Sequence, residues 1–420
     1  MTNLEYYKDI EIPSVNREKP GTSFVSHDNR EEAIINITNF EKTPYYINLN
    51  GKWEFYFNEY PKKIPKDIAT NINQNDPEWG EIKVPGNWER QGYGTAIYTD
   101  GNYDFCPMNP QPPYLPDLNP TGVYRRKDIK IPQEWFNQER DIFLQVGGAR
   151  GGLYVYVNGQ EIGYNEDSKN PAEFLLNKYV HPVKDNVITL LIHKYCTGSY
   201  LEDQDMWRLG GLERDVYIYS QPKIHIRDFK VVSTLDDEYE NGIFKLNAYL
   251  VNHDEENKAE VKIGYELIDF KNDQKIVLKG EKEAVIDIDK ETEIQFNEEE
   301  PIEKVNKWSA EHPNLYTLLI TLRNKSDKSI IEIVSFRVGF RREEIAKIFW
   351  KEQEMSVLLF NGKTVTFKGV NIHEHDEKTG HYVTDELRLK DIELLKKNNF
   401  NALRFSHYPN CRRLYELCDE

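Results

Sequence analysis

Long apolar runs, paired cysteines and an excess of positive charge are all missing from this sequence of 420 residues. No segment approaches the ~20 apolar residues that a membrane-spanning helix needs, so we expect no membrane partner. The four cysteines are scattered without a Cys-x-x-Cys pair, and no basic N-terminal segment precedes an apolar run, which predicts a cytoplasmic protein without disulfides. Acidic residues outnumber basic residues by 71 to 54, and this net charge of −17 argues against nucleic acid as a partner.

The chain is long enough for about three domains, and residues 1–220 have the pattern of an all-β domain with an N-terminal extension. Trp53, Phe55 and Phe57 occupy alternate positions, as in a strand with one buried face. Asn158 and Gly159 separate two β-rich runs and predict a type I′ hairpin turn, because this turn needs positive φ at both central residues.

Residues 221–340 have the size of an immunoglobulin-like β-sandwich. Apolar residues occupy every second position at 244–250, 261–267 and 316–322, and charged turns lie between these runs. No residue here is an attractive catalytic candidate, so we expect a scaffold role.

Residues 341–420 change to an α/β pattern. The runs 358–361 and 363–370 predict a hairpin of two strands, Thr384 is a candidate N-cap for a helix, and residues 402–406 predict another strand before a second helix. About 75 residues of this pattern are too few for an eightfold barrel of about 250 residues.

Histidines follow both predicted strands of this last part. His373 and His375 come directly after one strand, and His407 follows the next. Catalytic groups of barrel enzymes lie at the C-terminal ends of strands, so these positions predict a site, although ordinary loop histidines are the alternative. His373 and His375 could also form a pair of zinc or iron ligands, for which the sequence offers no obvious third ligand.

An acidic run at residues 202–208 is the second candidate constellation. It combines three carboxylates with Trp207, which suits sugar hydroxyls or a hard cation, and a solvated acidic loop is the alternative. The glycine-rich run at 147–152 passes from strand to strand, so no helix N-terminus is available to bind a phosphate.

Five runs carry a resemblance that spans nearly the whole chain: NPTGVYR at 119–125, SYLEDQDMWRLGG at 199–211, WSAEHPNLY at 308–316, KGVNIHEH at 368–375 and NNFNALRFSHYPN at 398–410. With these motifs the sequence resembles the large bacterial β-galactosidases of glycoside hydrolase family 2. The resemblance implies a mainly β, multidomain chain: a jelly-roll β-sandwich that binds sugar, an immunoglobulin-like β-sandwich, and the truncated start of a TIM (β/α)8 barrel at 341–420.

The resemblance also implies roles for individual residues. Asp205 corresponds to an aspartate that binds galactose hydroxyls and helps to ligate Na⁺. His373 and His407 correspond to histidines that contact galactose, and Arg404 to an arginine near the nucleophile. Asp100 stands where the family usually has a substrate-contacting Asn, although a shifted alignment would give this position to Asn102.

The resemblance further implies a retaining β-galactosidase that hydrolyses terminal β-D-galactose residues in β-galactosides such as lactose. The acid/base and nucleophile glutamates, and most Mg²⁺ ligands, would come from segments beyond residue 420, so no catalytic residue is assigned here and the chain alone is expected to be inactive. The alternative is a non-catalytic carbohydrate-binding or complementing subunit of a split glycosidase. The partners expected are a β-galactoside substrate and either further copies of the chain or a complementing C-terminal polypeptide.

Overall fold

The computed structural model describes residues 5–73, 79–254, 258–297, 301–351 and 353–420. Within these ranges, two β-sandwiches follow one another and lead into a short α/β part. The predicted fold class, a jelly-roll sandwich, an immunoglobulin-like sandwich and the start of a TIM barrel, is confirmed. No helix among the described residues is both long and apolar enough to cross a bilayer.

In the first sandwich, a seven-stranded antiparallel sheet with the order β1-β11-β10-β13-β7-β3-β4 is accompanied by a four-stranded sheet with the order β12-β8-β16-β2. Its strands are β1 Ser14–Val15, β2 Tyr46–Asn48, β3 Gly51–Asn58, β4 Gly80–Val84, β5 Gly86–Asn87, β6 Ile97–Thr99, β7 Thr121–Ile129, β8 Asp141–Val146, β9 Ala149–Arg150, β10 Gly152–Val157, β11 Gln160–Asn165, β12 Ala172–Leu175, β13 Asn186–His193, β14 Met206–Arg208, β15 Gly211–Leu212 and β16 Val216–Gln221. Its helices are α1 Arg30–Ile35 and α2 Gln133–Asn137, with 3₁₀ turns at Tyr6–Lys8, Phe40–Lys42, Pro61–Lys63, Trp88–Gln91 and Thr197–Leu201.

Apolar side chains from both sheets form one core in this sandwich. Trp53 and Phe55 of β3 are buried in it, as their alternation predicts. The predicted hairpin between β10 and β11 is also present, and Asn158 and Gly159 have φ values of 51° and 81°. A Cβ atom on Gly159 would lie 2.5 Å from the Thr70 carbonyl oxygen, so the turn needs glycine for both its conformation and its space.

In the second sandwich, the sheet β17-β18-β21 accompanies the sheet β20-β19-β22-β23. The strands are β17 Ile224–Leu235, β18 Gly242–Asn252, β19 Ala259–Asp269, β20 Lys275–Ile286, β21 Thr292–Asn297, β22 Tyr316–Asn324 and β23 Ile330–Val338. The predicted alternation in β18, β19 and β22 gives this sandwich its core. The N-terminal extension contacts it too, since His27 bridges Ile333 and Ala33 of α1 packs against Leu319.

In the last part, an antiparallel sheet of β24 Glu343–Trp350, β25 Gln353–Phe360 and β26 Lys363–Thr364 precedes two parallel strands, β27 Gly369–Ile372 and β28 Ala402–Phe405. The helices are α3 Asp385–Lys397 and α4 Arg412–Asp419. Thr384 caps α3 as predicted, because its side chain accepts a hydrogen bond from the Leu387 amide at 3.4 Å.

One predicted element of this part is wrong in its extent. The run 363–370 is not a single strand of a hairpin, since β26 ends at Thr364 and β27 pairs in parallel with β28, with Ile372 opposite Phe405. The pattern of neighbouring residues cannot reveal this pairing, because the partner strand lies about thirty residues further along the chain. The parallel pair places the residues after 372 and after 405 at the same edge of the sheet.

Candidate functional site

Two histidines lie at the shared C-terminal edge of β27 and β28. His373 directly follows β27, and His407 lies two residues beyond β28. Their rings are 5.6 Å apart between centroids and nearly perpendicular, at 86°. Burial and the neighbouring His407 lower the pKa of His373 from its usual value, so the neutral ring is favoured at this edge. The two strand-end histidines predicted from the sequence are therefore brought together.

Asp205 reaches this edge from the first sandwich. It precedes β14, which pairs with β6 so that Met206 lies opposite Thr99. The Tyr98 hydroxyl of β6 donates a hydrogen bond to Asp205 Oδ1. The negative charge of Asp205 also raises the pKa of His373, against the effects of burial and His407. A carboxylate from one part of the molecule and imidazoles from another thus share one surface.

The other two acids of the run 202–208 have structural partners instead. Glu202 accepts hydrogen bonds from Ser168 and lies 3.2 Å from Arg150. Asp203 pairs with Arg208 at 3.3 Å. Of the three carboxylates, Asp205 is the one whose charge acts on the pKa of His373, and Trp207, two residues after it, stacks on His375.

Arg404 and Asp100 complete the set predicted from the sequence. Arg404, in β28, is exposed, and its Nη1 lies 3.3 Å from His407 Nδ1. Asp100 is exposed just after β6, two residues from Tyr98; the pKa of the Tyr98 hydroxyl is raised mainly by its hydrogen bond to Asp205 and least by the charge of Asp100. Asn102 lies nearby, with its carbonyl oxygen accepting a hydrogen bond from Thr99 Oγ1 at 3.1 Å. The choice between Asp100 and Asn102 as the substrate contact stays a prediction.

An aromatic surface borders Asp205. The Trp207 indole is 40% exposed and stacks on the His375 ring, with 6.1 Å between centroids and 9° between planes. The Tyr98 ring contacts the same indole edge to face, with 5.6 Å between centroids and 61° between planes. Flat apolar surface beside a carboxylate matches a sugar, which has an apolar face and a rim of hydroxyls.

The metal interpretation of His373 and His375 gains no support from this geometry. The His375 ring packs against Trp207 and His381, whereas the His373 ring faces His407 and Tyr408. Among the described residues, the side chains that cluster with a spacing suitable for a metal lie elsewhere in the molecule.

Glu374, between the two histidines, is held by two guanidinium groups. Its side chain is 1% exposed, and Oε2 accepts from Arg214 Nε and Nη2 at 3.1 and 2.7 Å. Oε1 accepts from Arg388 Nη2 at 3.1 Å, and Arg214 Nη2 also donates to the Pro409 carbonyl at 2.6 Å. Because both oxygens are occupied, Glu374 holds the first sandwich to the strand ends and is not placed to transfer protons.

His381 makes a second buried connection between these parts. Its Nδ1 lies 2.8 Å from the Glu374 carbonyl oxygen, and its Nε2 lies 2.8 Å from the Trp207 carbonyl oxygen. Sequence reasoning missed the roles of His381, Arg214 and Tyr98. Each of these side chains contacts a residue more than 100 positions away in the sequence. The only local signal for them is the high share of histidine after residue 370.

Comparison with known proteins gives a consistent result along the chain. Residues 46–222 match the sugar binding domain of glycosyl hydrolases family 2, residues 224–341 match the family model described as Glycosyl hydrolases family 2, and residues 352–420 match the family's TIM barrel domain. The chain is 35% identical to a beta-galactosidase of Priestia megaterium and 36% identical to a beta-galactosidase of Streptococcus thermophilus. Each of these alignments covers 99% of this chain.

Solved structures agree on the fold. A beta-glucuronidase of Bacteroides uniformis aligns with a TM-score of 0.72 at 22% identity, covering 89% of this chain and 41% of that one. A beta-glycosidase of Bacteroides vulgatus aligns with a TM-score of 0.65 at 24% identity, and the alignment covers 89% of this chain and 43% of that one.

The chain spans only 39% of the P. megaterium protein and 37% of the S. thermophilus protein. Within that span the three models of this one family follow one another along the chain, at residues 46–222, 224–341 and 352–420. The sandwich that carries Asp205 and the strand ends that carry His373 and His407 each match a domain model of the same family. The chain therefore belongs to glycosyl hydrolases family 2.

Proposed function

We propose that this chain forms the substrate-binding N-terminal portion of a retaining β-galactosidase that hydrolyses terminal β-D-galactose residues, as in lactose. The observation that carries the proposal is the convergence of Asp205 from the first sandwich with His373 and His407 from adjacent strand ends. The name beta-galactosidase shared by relatives that match 99% of the chain supports the choice of sugar.

Each residue of the site has a part in this proposal. The Asp205 carboxylate accepts hydrogen bonds from sugar hydroxyls, and the His373 and His407 imidazoles bind further hydroxyls of the same ring. The Arg404 guanidinium, 3.3 Å from His407 Nδ1, adds positive charge where negative charge develops in the reaction. Trp207 offers an apolar face for the sugar or for the group attached to it.

The chemical step in this proposal needs carboxyl groups beyond those described. A retaining glycosidase uses two carboxyl groups about 5–5.5 Å apart, one to protonate the glycosidic oxygen and one to attack the anomeric carbon. Glu374 is the carboxyl group nearest to the strand-end histidines in sequence, and Arg214 and Arg388 bind both of its oxygens. We therefore expect the 420-residue chain to bind galactosides without hydrolysing them.

The ions of the proposed enzyme are assigned only in part. Asp205 suits Na⁺, because Na⁺ prefers oxygen ligands and this carboxylate is partly exposed beside the Tyr98 hydroxyl. Bound there, Na⁺ would supply positive charge to a sugar hydroxyl. For Mg²⁺ the described strand ends offer no comparable group of carboxylates, and we propose that its ligands come mostly from other barrel segments. The four free cysteines support a reducing, cytoplasmic location.

The proposal is tested by calorimetric titration of the 420-residue chain with a non-hydrolysable β-thiogalactoside. Asp205→Asn should weaken binding by about tenfold or more, because a hydrogen bond to a charged group is worth about 1.5–3 kcal/mol. His407→Gln should weaken it by about twofold to tenfold, because a typical hydrogen bond contributes about 0.5–1.5 kcal/mol. Asp203→Asn, which alters an acid paired with Arg208, is the matched control and should leave binding unchanged. Hydrolysis of a chromogenic galactoside by the chain alone, or equal binding by all variants, would contradict the proposal.

A second candidate is a non-catalytic or complementing subunit of a split glycosidase. Apolar side chains exposed on the last part favour it, since Phe367 is 61% exposed and Leu389 and Leu394 are each 46% exposed. Co-expression with the product of the downstream reading frame discriminates: restored galactoside hydrolysis supports a complementing subunit, and no hydrolysis favours a binding module. Size-exclusion chromatography with light scattering reports whether the chain instead pairs with itself.

A further inference from the structure

Three side chains of different elements meet where the first sandwich joins the second. Asp141 is the first residue of β8, His225 lies in β17, and His253 directly follows β18. Asp141 and His225 are fully buried, whereas the His253 side chain is 28% exposed. One ring nitrogen of each histidine and one carboxylate oxygen of Asp141 lie within 4.8 Å of one another. Two imidazoles and one carboxylate therefore converge at a place that solvent can reach from one side.

The two oxygens of Asp141 have different partners. Oδ1 accepts a hydrogen bond from Lys223 Nζ at 2.6 Å. Oδ2 lies 2.6 Å from His253 Nδ1 and 3.9 Å from His225 Nδ1. The lysine thus orients the carboxylate, as groups around a metal ligand do, and leaves Oδ2 directed at both histidines.

His225 carries an unused lone pair. Its Nδ1 lies 2.8 Å from the Pro222 carbonyl oxygen, a contact in which the nitrogen must donate. Nε2 of the neutral ring is then an acceptor, and it is buried without a hydrogen-bond partner among the described residues. A buried acceptor without a donor costs free energy. Metal-binding histidines typically have this arrangement, with the other ring nitrogen bonded to a backbone carbonyl.

We propose that Asp141, His225 and His253 bind one divalent transition-metal ion of the Zn²⁺ class, with water as a fourth ligand. Two imidazole nitrogens and one carboxylate oxygen suit Zn²⁺, which binds such atoms at about 2.0–2.2 Å in a tetrahedral site. The ion replaces the proton shared by His253 and Asp141, and that proton is released to solvent.

Binding requires the ligand groups to adjust their positions. Ligand atoms around tetrahedral Zn²⁺ are about 3.3 Å apart. The His253–Asp141 pair, with Nδ1 and Oδ2 now 2.6 Å apart, would open, and the His225 ring would move so that its Nε2, unpartnered among the described residues, rather than the Nδ1 that donates to Pro222, reaches the ion beside Asp141 Oδ2. The ion would connect the two sandwiches, because Asp141 belongs to the first and both histidines to the second. This inference does not depend on the proposed glycosidase function.

The test uses the 420-residue chain without an affinity tag, stripped of metal by a chelator and titrated with ZnCl₂ in a calorimeter. We expect one Zn²⁺ per chain, and His253→Gln and His225→Gln should each lower the affinity at least about tenfold. His312→Gln changes an exposed histidine of the same sandwich and is the matched control, expected to bind Zn²⁺ like the parent chain.

Co²⁺ provides an independent readout in the same variants. The parent chain should show visible d–d absorption without a sulfur charge-transfer band, since a band of that kind would indicate binding by the free cysteines. Circular dichroism melting reports whether each variant is folded. If the His225 variant does not fold, the His253 variant still decides the test, because His253 is partly exposed and its substitution should not disturb the fold. The absence of saturable 1:1 binding, or undiminished binding by the His253 variant, would overturn the proposal.

Discussion

At the scale of single residues, chemical type and sequence neighbourhood did not suffice to assign a role. Glu202, Asp203 and Asp205 lie within four positions, yet Glu202 and Asp203 pair with Arg150 and Arg208, and the charge of Asp205 is the one that acts on the pKa of His373. Residues 202–205 lie between the 3₁₀ turn Thr197–Leu201 and β14, outside any strand or helix, so no periodicity sets the direction of each carboxylate. The assignment needed the strand pairing of β14 with β6.

Glu374 makes the clearest prediction at this scale. Arg214→Ala leaves this buried carboxylate with Arg388 as its remaining partner and should destabilise the folded chain by about 3–5 kcal/mol, the usual loss when a buried ion pair is broken. Chemical denaturation followed by circular dichroism measures the change.

Two further variants make this test specific. Adding Glu374→Gln to Arg214→Ala should restore part of the lost stability, because the buried side chain that lost Arg214 then carries no charge. Lys325→Ala, which removes an exposed lysine paired with Glu260 and Glu283, is the control and should have no measurable effect. Equal effects of Arg214→Ala and the control would show that the buried pair contributes nothing.

At the scale of elements, neighbouring residues in the sequence predicted the turns, strands and helix starts better than they predicted the roles of single residues. The Asn158–Gly159 turn, the alternating strands of the second sandwich and the start of α3 at Asp385 all follow from neighbouring residues. The strand at 363–370 was mispredicted because β27 is defined by β28, a partner that comes after α3 in the chain. Elements stabilised by local contacts are readable from sequence, and those stabilised by distant pairing are not.

Helix α3 provides the prediction at this scale. Thr384→Ala removes the side-chain oxygen that accepts from the Leu387 amide, and it should cost about 1 kcal/mol of helix stability. Hydrogen exchange of the first-turn amides of α3 should accelerate accordingly. Thr384→Ser retains a hydroxyl and should exchange like the parent chain, so faster exchange in this variant would argue against the cap.

At the scale of the whole molecule, the three parts differ in how much apolar surface they bury. The two sandwiches contain the two largest cores. After Phe340, the buried apolar residues in the described ranges are Val383, Tyr408, Leu414 and Leu417. Ile345 and Phe349 of β24 are 77% and 76% exposed. The last part is therefore stabilised largely by its contacts with the sandwiches, such as that of Arg214 with Glu374.

Limited proteolysis tests this difference in stability. We expect the first cuts of the 420-residue chain after about residue 345, because local opening is easiest where few apolar side chains are buried. Mass spectrometry of the early fragments should show an intact segment that includes both sandwiches. First cuts within residues 45–340 would contradict the expectation.

The sequence by itself determined the architecture of this protein and the residue types at its site. Alternation and turn residues specify strands locally, and the motif runs around Asp205, His373 and His407 are by themselves sufficient to indicate glycoside hydrolase family 2. Only the tertiary structure decided which side chains meet, because contacts such as Arg214 with Glu374, Tyr98 with Asp205 and His253 with Asp141 join residues more than 100 positions apart. Such contacts depend on how sheets and domains pack, and packing leaves no periodic signal in the chain.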